Sequence, residues 1–393
     1  MQIDIKKEVA ALTAETIATR RDIHAHPELG FHEFRTGKLV ETRLKALGLR
    51  VRRCADPGVI GVLEGGKPGK TVMLRAELDA LPLTEKNDLP FCSQNPGVMH
   101  ACGHDCHAAI QLSVAKILTA HREELPGTVV FLFQPNEEDI GAPQMIAEGA
   151  LKDPRPDAIF DMHVWSPIPI GKVGMVSGPD CASSYYFKLT IHGKGTAAYI
   201  PDQGISPIDA AGHVLNAINA MQTLEYSTLN QPTLITVGTI HAGDYMINIP
   251  DDLTMEGSIR CLHSNEKAVH ERFTELVTAV CTACRCSCDV DITCGNNMLE
   301  NDPDLYSMAH SVASEVVGKE NITDKGVREM GGDDLAEFFR EGIPGIYYLA
   351  GMGNPAKHTT APHHSRNFRV DEDVLDLGVE LQTRMTLRYL GAI

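Results

Sequence analysis

The stretch Thr128-Val129-Val130-Phe131-Leu132-Phe133 runs directly into Gln134-Pro135-Asn136-Glu137-Glu138. Consecutive apolar and β-branched residues without polar alternation mark a strand buried on both faces, the kind found inside a helix-covered sheet. Gln134-Pro135 breaks it, and two adjacent carboxylates follow at its carboxyl end, where α/β sheets gather their sites. The flanks keep the same grammar. Apolar spacing predicts helices over 5–23 and 36–47, the second stopped by Gly48. Strands are expected at 59–63 and 71–74, joined through Gly65-Gly66-Lys67-Pro68-Gly69. A helix over 105–120 carries Ile110, Val114, Ile117 and Leu118 on one face, and a short strand is expected at 158–160. Strands alternating with helices predict an α/β fold whose mixed sheet is covered on both sides.

The middle of the chain reads differently. Strand patterns at 185–191, 233–239, 253–259 and 287–293 interleave with helical patterns at 207–221 and 266–283. That order is β-α-β-β-α-β, the split-βαβ arrangement of a ferredoxin-like α+β domain. After Gly295 the α/β pattern resumes, with helices near 302–317 and 371–390. The expected organisation is a discontinuous α/β domain of residues 1–180 and 295–393, interrupted by an inserted domain of residues 181–294.

Composition narrows the function classes. A net charge of −17 over 393 residues, with no cluster of Lys and Arg, argues against a nucleic-acid partner. No apolar run approaches a membrane span, and Met1-Gln2-Ile3-Asp4-Ile5-Lys6-Lys7 lacks the apolar core of a signal peptide. With 11 cysteines at irregular spacing, reduced thiols and a cytoplasmic setting are expected. Cys281, Cys284, Cys286, Cys288 and Cys294 cluster locally, and core packing is the plain reading of them.

The chemistry concentrates in His100-Ala101-Cys102-Gly103-His104-Asp105-Cys106-His107, at the loop-to-helix junction. Imidazole and thiolate together suit zinc-like ions. Cys102 and His104, two apart, can point to one side of an extended loop. Glu137 and Glu138 point differently, so one can bind metal while the other handles a proton. His163 should emerge on the same rim, a few residues past the short strand at 158–160, and His363 or His364 could close the site. His107 is expected to orient a neighbour, and His24, His26 and His32 to be helix-end or core residues. Metal-dependent hydrolysis is the reaction class this set implies.

These segments, with His24-Ala25-His26-Pro27-Glu28-Leu29-Gly30, Leu74-Arg75-Ala76-Glu77-Leu78-Asp79-Ala80-Leu81-Pro82, His163-Val164-Trp165 and His364-Ser365-Arg366-Asn367-Phe368, resemble the aminoacylase/carboxypeptidase-type dinuclear metallopeptidases. Within them the likeness is to the amidohydrolase branch of hippurate hydrolases, N-acyl-amino-acid deacylases and plant auxin-conjugate hydrolases. The resemblance implies a zinc-exopeptidase-like catalytic domain with a ferredoxin-like lid, and a homodimer. It implies two divalent metal ions (Zn, Mn, Co or Ni) held by Cys102, His104, Glu138, His163 and His364, with Glu137 as general base. It favours His364 over His363 by distance from Phe368. The substrate implied is a small N-acyl amino acid or related amide, cleaved to carboxylate and amine.

The chain departs from that family pattern in four places. Ala197 stands where relatives carry a lid histidine; His192, His213 and His241 are candidates to replace it. Asn248 in Ile247-Asn248-Ile249-Pro250 is shifted by one residue, Glu77 stands where aspartate is usual, and Asp333-Asp334 replaces a Glu-Asp pair. Asn248 and Arg260 are the candidate substrate-binding residues, Arg260 for a carboxylate. Glu77 and Asp105 are expected to support the ligands from behind. Two other outcomes stay open: a C–N hydrolase acting on an aromatic amine, and a metal-dependent binding protein without turnover.

Overall fold

Asp4 caps the first helix, accepting a hydrogen bond from the Lys7 N–H at 3.2 Å, and α1 spans Ile5–Ala25. The computed structural model that shows this describes residue 1 and residues 3–393. It continues through α2 (Phe34–Ala46), β1 (Arg50–Arg53), β2 (Val59–Glu64), β3 (Lys67–Glu77) and α3 (His104–Ala120). Then come β4 (Pro126–Gln134), α4 (Ala142–Ala147), β5 (Ala158–Pro169) and β6 (Val173–Gly174). The middle holds β7 (Ser183–His192), α5 (Pro207–Leu224), β8 (Thr233–Ala242), β9 (Asp252–Cys261), α6 (Glu266–Ala283) and β10 (Ser287–Asn296). The chain ends with α7 (Pro303–Val317), β11 (Ile322–Thr323), α8 (Leu335–Arg340), β12 (Gly345–Gly353) and α9 (Asp373–Tyr389).

Two compact units result. The first comprises Met1–Asp180, Glu300–Arg328 and Asp333–Ile393. The second comprises Cys181–Leu299 and Glu329–Gly332. The second unit therefore extends past residue 294 and recruits a distant four-residue segment. The Ala182 N–H donates to the carbonyls of Glu329 and Gly331 at 3.2 and 2.9 Å, which ties that segment in.

In the first unit an eight-stranded mixed sheet has the order β1-β2-β4-β3-β5-β12-β6-β11. Its centre, β4-β3-β5-β12, is parallel throughout. Helices α1, α3 and α9 pack on one another, and α3 is buried on nearly all sides. Its buried polar side chains therefore need partners, and Asp105 meets Arg20 while His107 meets Glu77. Ala108, Ala109 and Ala115 keep the helix thin enough for close approach.

Strand β5 is where the structure departs most from expectation. It runs to Pro169 instead of stopping at 160, so His163 lies within the strand and not beyond it. Strand β12 was not expected. Its Gly351 is required, since a Cβ there would collide with the Pro169 carbonyl of the paired strand.

The second unit is a four-stranded antiparallel sheet of order β8-β9-β7-β10 backed by α5 and α6. Counted in its own chain order this is 2-3-1-4, a split-βαβ layout. Cys281 and Cys286 are buried in its core, and all the described cysteines are free thiols. Among the described residues no helix is long and apolar enough to cross a membrane.

Candidate metal centre

Two parallel strands, β4 at its end and β5 within its length, the start of α3 and the loop bearing His364 supply the donors. Gly103, at φ 104°, turns the chain into α3 so that Cys102 and His104 flank the turn; a Cβ there would strike Val164. Cys102 Sγ lies 3.4 Å from His163 Nε2. Donor atoms of Cys102, His104 and His163 all lie within 4.8 Å of one another, as do those of Cys102, Glu138 and His364. Two donor trios thus share one sulfur. Glu137 joins His104 and Glu138 in a third group.

The imidazoles are oriented by what their other nitrogens do. His104 Nδ1 donates to the Asp79 carbonyl at 2.9 Å and approaches its carboxylate at 3.2 Å, leaving Nε2 pointed inward. His163 Nδ1 donates to the Val164 carbonyl at 2.7 Å, again freeing Nε2. A ligating histidine has this arrangement, its second nitrogen fixed by a carbonyl or carboxylate. His104 Nε2 and Glu138 Oε1 are buried with no hydrogen-bond partner among the described residues. Two buried donor atoms without a hydrogen bond, close to a thiol, are a good fit for bound cations.

The electrostatics point the same way. Burial first, then Glu138 and Glu137, hold the Cys102 thiol well above its ordinary pKa, so a thiolate there needs a cation beside it. Burial opposes charge on His104, yet the Asp79 hydrogen bond and the surrounding acids raise it to about 10. Burial pushes His163 well down, helped by His107 and His363. Burial, then Asp333, Glu138 and Asp334, push the Glu137 carboxyl well up.

Other expected residues fall out as follows. His107 Nδ1 pairs with Glu77 at 2.7 Å while its Nε2 accepts the Val164 N–H at 3.0 Å, so it orients the strand beside His163. Glu77 touches that histidine and Arg75 and belongs to neither donor trio. Asp105, expected behind the ligands, instead accepts from Arg20 at 2.7 Å and lies 2.8 Å from His24 Nδ1. That helical turn points Asp105 toward α1, and Asp79 is the carboxylate that supports His104. His363 donates from Nε2 to the Val164 carbonyl at 3.0 Å and stacks on Trp165, whereas His364 faces Glu138 at 3.3 Å. His24, His26, His32 and His100 belong to none of the donor groups.

In the second unit, Asn248 pairs across a short two-strand ladder with Ala197. Arg260, on β9, donates to the Met330 carbonyl at 3.0 Å. Both ring nitrogens of His192 are occupied, by Asp252 and Asp289, while His213 lies exposed on α5 and His241 on β8.

Sequence reasoning missed the structure behind the donor groups. Arg75 is fully buried, with Nη1 on Glu77 and Asp161 at 2.5 and 2.7 Å and Nη2 on Asp333 and Asp334 at 3.2 and 2.8 Å. The alternation Arg75-x-Glu77-x-Asp79 was visible, and period two places such residues on one side. Its partners from 161 and 333–334 were not. The loop bearing Glu137 also holds Asn136 and Ile140 at φ 58° and 63°. For a β-branched residue such as Ile140 that backbone costs about 1–3 kcal/mol and persists only where the surroundings impose it.

Comparison with known proteins places this arrangement. The model of "Peptidase family M20/M25/M40" matches residues 73–388. The chain belongs to that family. It is 35% identical over 397 residues, 98% of each chain, to Thermostable carboxypeptidase 1 of Saccharolobus solfataricus. It is 36% identical to IAA-amino acid hydrolase ILR1-like 2 of Arabidopsis thaliana, over 95% of this chain and 85% of that one. Among solved structures it matches a dinuclear metal-binding M20 peptidase, the YXEP protein of Bacillus subtilis. That match has a TM-score of 0.84 and 30% identity, covering 98% of this chain and 100% of that one. As an M20 member the chain is a metal-dependent amidohydrolase.

Proposed function

We propose that this M20 enzyme hydrolyses a small N-acyl amino acid, with Glu137 moving the proton and Cys102, His104, Glu138, His163 and His364 holding two divalent cations. The observation that carries the reading is the pair of donor trios sharing Cys102, with Glu137 beside them and absent from both. When bound, such cations polarise an amide carbonyl and bring the pKa of a water toward 7. The chain's own residues do the rest. Glu137 accepts a proton from the attacking water and returns it to the amide nitrogen, since an amine leaves poorly unless protonated. The water oxygen ends on the carbonyl carbon, the C–N bond breaks, and carboxylate and amine result. A carboxylate beside the donor groups but outside both trios suits this role, because it is left free to take the proton and return it.

The relatives' names support the substrate class, and the donor chemistry bears on the metal. The names carboxypeptidase and IAA-amino acid hydrolase both describe amides whose nitrogen side is an amino acid. The donor set also suits zinc through its thiol, and manganese, cobalt or nickel through imidazole and carboxylate. The test is metal-free protein reloaded with each ion and assayed on N-acetyl, N-benzoyl and indole-acyl amino acids. Glu137→Gln should retain the metal content of the parent and lose activity by about 10²–10⁴-fold. A fully active Glu137→Gln variant would sink the reading.

A further inference from the structure

The turn carrying Glu137 and Glu138 has strained backbone on both sides, and something must hold it. One carboxylate reaches both of its ends. Asp334 Oδ1 accepts from Gln134 Nε2 at 2.7 Å, and Oδ2 accepts from the Ala142 N–H at 2.8 Å. Gln134 is the last residue of β4 and Ala142 the first of α4, so Asp334 staples the start of the loop to its finish. Arg75 completes the bracket, donating to Asp334 Oδ1 at 2.8 Å and to Gln134 Oε1 at 3.0 Å. Arg75 sits buried on β3 at the centre of the sheet, so the staple is anchored to a strand paired on both sides. Between the ends, Glu33 accepts the Asn136 N–H at 2.8 Å and Asp79 accepts the Glu138 N–H at 3.0 Å, but each holds a single point.

We propose that Asp334, braced by Arg75, is the positioning residue for Glu137 and Glu138, fixing the loop from both ends. Its catalytic consequence rests on the function proposed above; the mechanical claim does not. Asp334→Asn keeps the shape but replaces one acceptor oxygen with an N–H₂ group. Either the Ala142 N–H loses its acceptor or Arg75 loses its contact with Asp334, and in both cases Gln134 Nε2, which reaches both carboxylate oxygens at 2.7 Å, keeps only one of them.

The test is amide hydrogen exchange on metal-free protein, comparing the parent chain with Asp334→Asn over residues 134–142. The amides of Asn136, Glu138, Ile140 and Ala142 are all hydrogen-bonded in the parent. They should exchange at least tenfold faster in the variant, while amides of the β5–β12 ladder keep their rates. Unchanged exchange in the loop overturns the proposal, as does acceleration spread equally through the ladder. Should Asp334→Asn fail to fold, Gln134→Met removes one end of the staple and leaves the Arg75–Asp334 pair. It should speed exchange at Asn136 and Glu138, and no change there also overturns the proposal. On any amide the parent hydrolyses, Asp334→Asn should lower kcat tenfold or more with KM within threefold. Should the parent hydrolyse none, the proposed function fails while the exchange rates still decide the staple.

Discussion

The eight-stranded sheet of the first unit keeps Arg75, Glu77, Asp161 and His163 out of water on its central strands, whereas the four-stranded sheet of the second carries Lys188, Glu256, Asp289 and Asp291 exposed. Charge in the second sheet is solvated, and little depends on any one group. Charge in the first must be answered atom by atom, because a buried polar group without a partner costs free energy. Most of it is answered: Arg75 alone meets Glu77, Asp161, Asp333 and Asp334. What distinguishes the metal centre from ordinary packing slack is that its orphaned atoms, His104 Nε2 and Glu138 Oε1, fall inside the donor groups.

The largest expected effect comes from removing the cation that answers the acids. Arg75→Met leaves several carboxyls buried without it, and breaking a buried charge network in this way costs on the order of 3–5 kcal/mol. The variant should unfold at much lower urea concentration or fail to accumulate. Lys188→Met is the matched change on the exposed sheet, where Lys188 faces Glu256 at 3.6 Å with both about half exposed. It should shift stability by about 0.5 kcal/mol or less. Similar urea midpoints for the two variants would erase the contrast between the sheets.

The same contrast explains what could be read from the sequence. Strand β10 alternates exposed and half-buried residues because one face of its sheet meets water, and its expected range of 287–293 is close to the observed Ser287–Asn296. Strand β5 has no such alternation, being buried on both faces, and the polar Asp161 and His163 disguise its length. Strand β12 hides behind Gly345, Gly351 and Gly353, which look like turn chemistry but are demanded by close packing. In the site, Cys102, His104, Glu137 and Glu138 were legible because ligand types crowd into two short segments. Asp334 stood out only as part of a pair departing from the family pattern, and Glu33 not at all, for their loop contacts lie 200 and 103 residues away in sequence. A lone acid carries no sign of such a partner.

Glu33 sharpens the comparison at an intermediate scale. It is fully buried at the start of α2, and burial, reinforced by Asp79, pushes its carboxyl up to about 8. Between its unfolded value near 4.5 and that raised value, the folded chain holds a proton that the unfolded chain has released. Its contribution to stability is therefore complete at acid pH and is lost as pH rises through about 8. Glu33→Gln keeps an acceptor for the Asn136 N–H and cannot ionise. Urea titrations of metal-free protein at pH 5, 7 and 9 should show the variant gaining on the parent as pH rises, by on the order of a few kcal/mol. Parallel pH profiles would show that Glu33 does not titrate in this window.

The smallest effect belongs to the second sheet. His192 bridges β9 and β10, with Nδ1 2.6 Å from Asp252 and Nε2 3.0 Å from Asp289. Hydrogen bonds to Asp289 and then Asp252 raise its pKa above the usual histidine value. Its stabilisation is present below the unfolded value of 6.5 and fades as pH rises through the raised one. Water and salt screen a bridge this exposed, so His192→Gln should cost about 0.5 kcal/mol or less at pH 5.5 and almost nothing at pH 9. Added salt at pH 5.5 should shrink even that difference. A loss at pH 5.5 as large as that of Arg75→Met would mean the second sheet depends on its ion pairs as the first does. The distinction between solvated and enclosed charge would then not separate the two units.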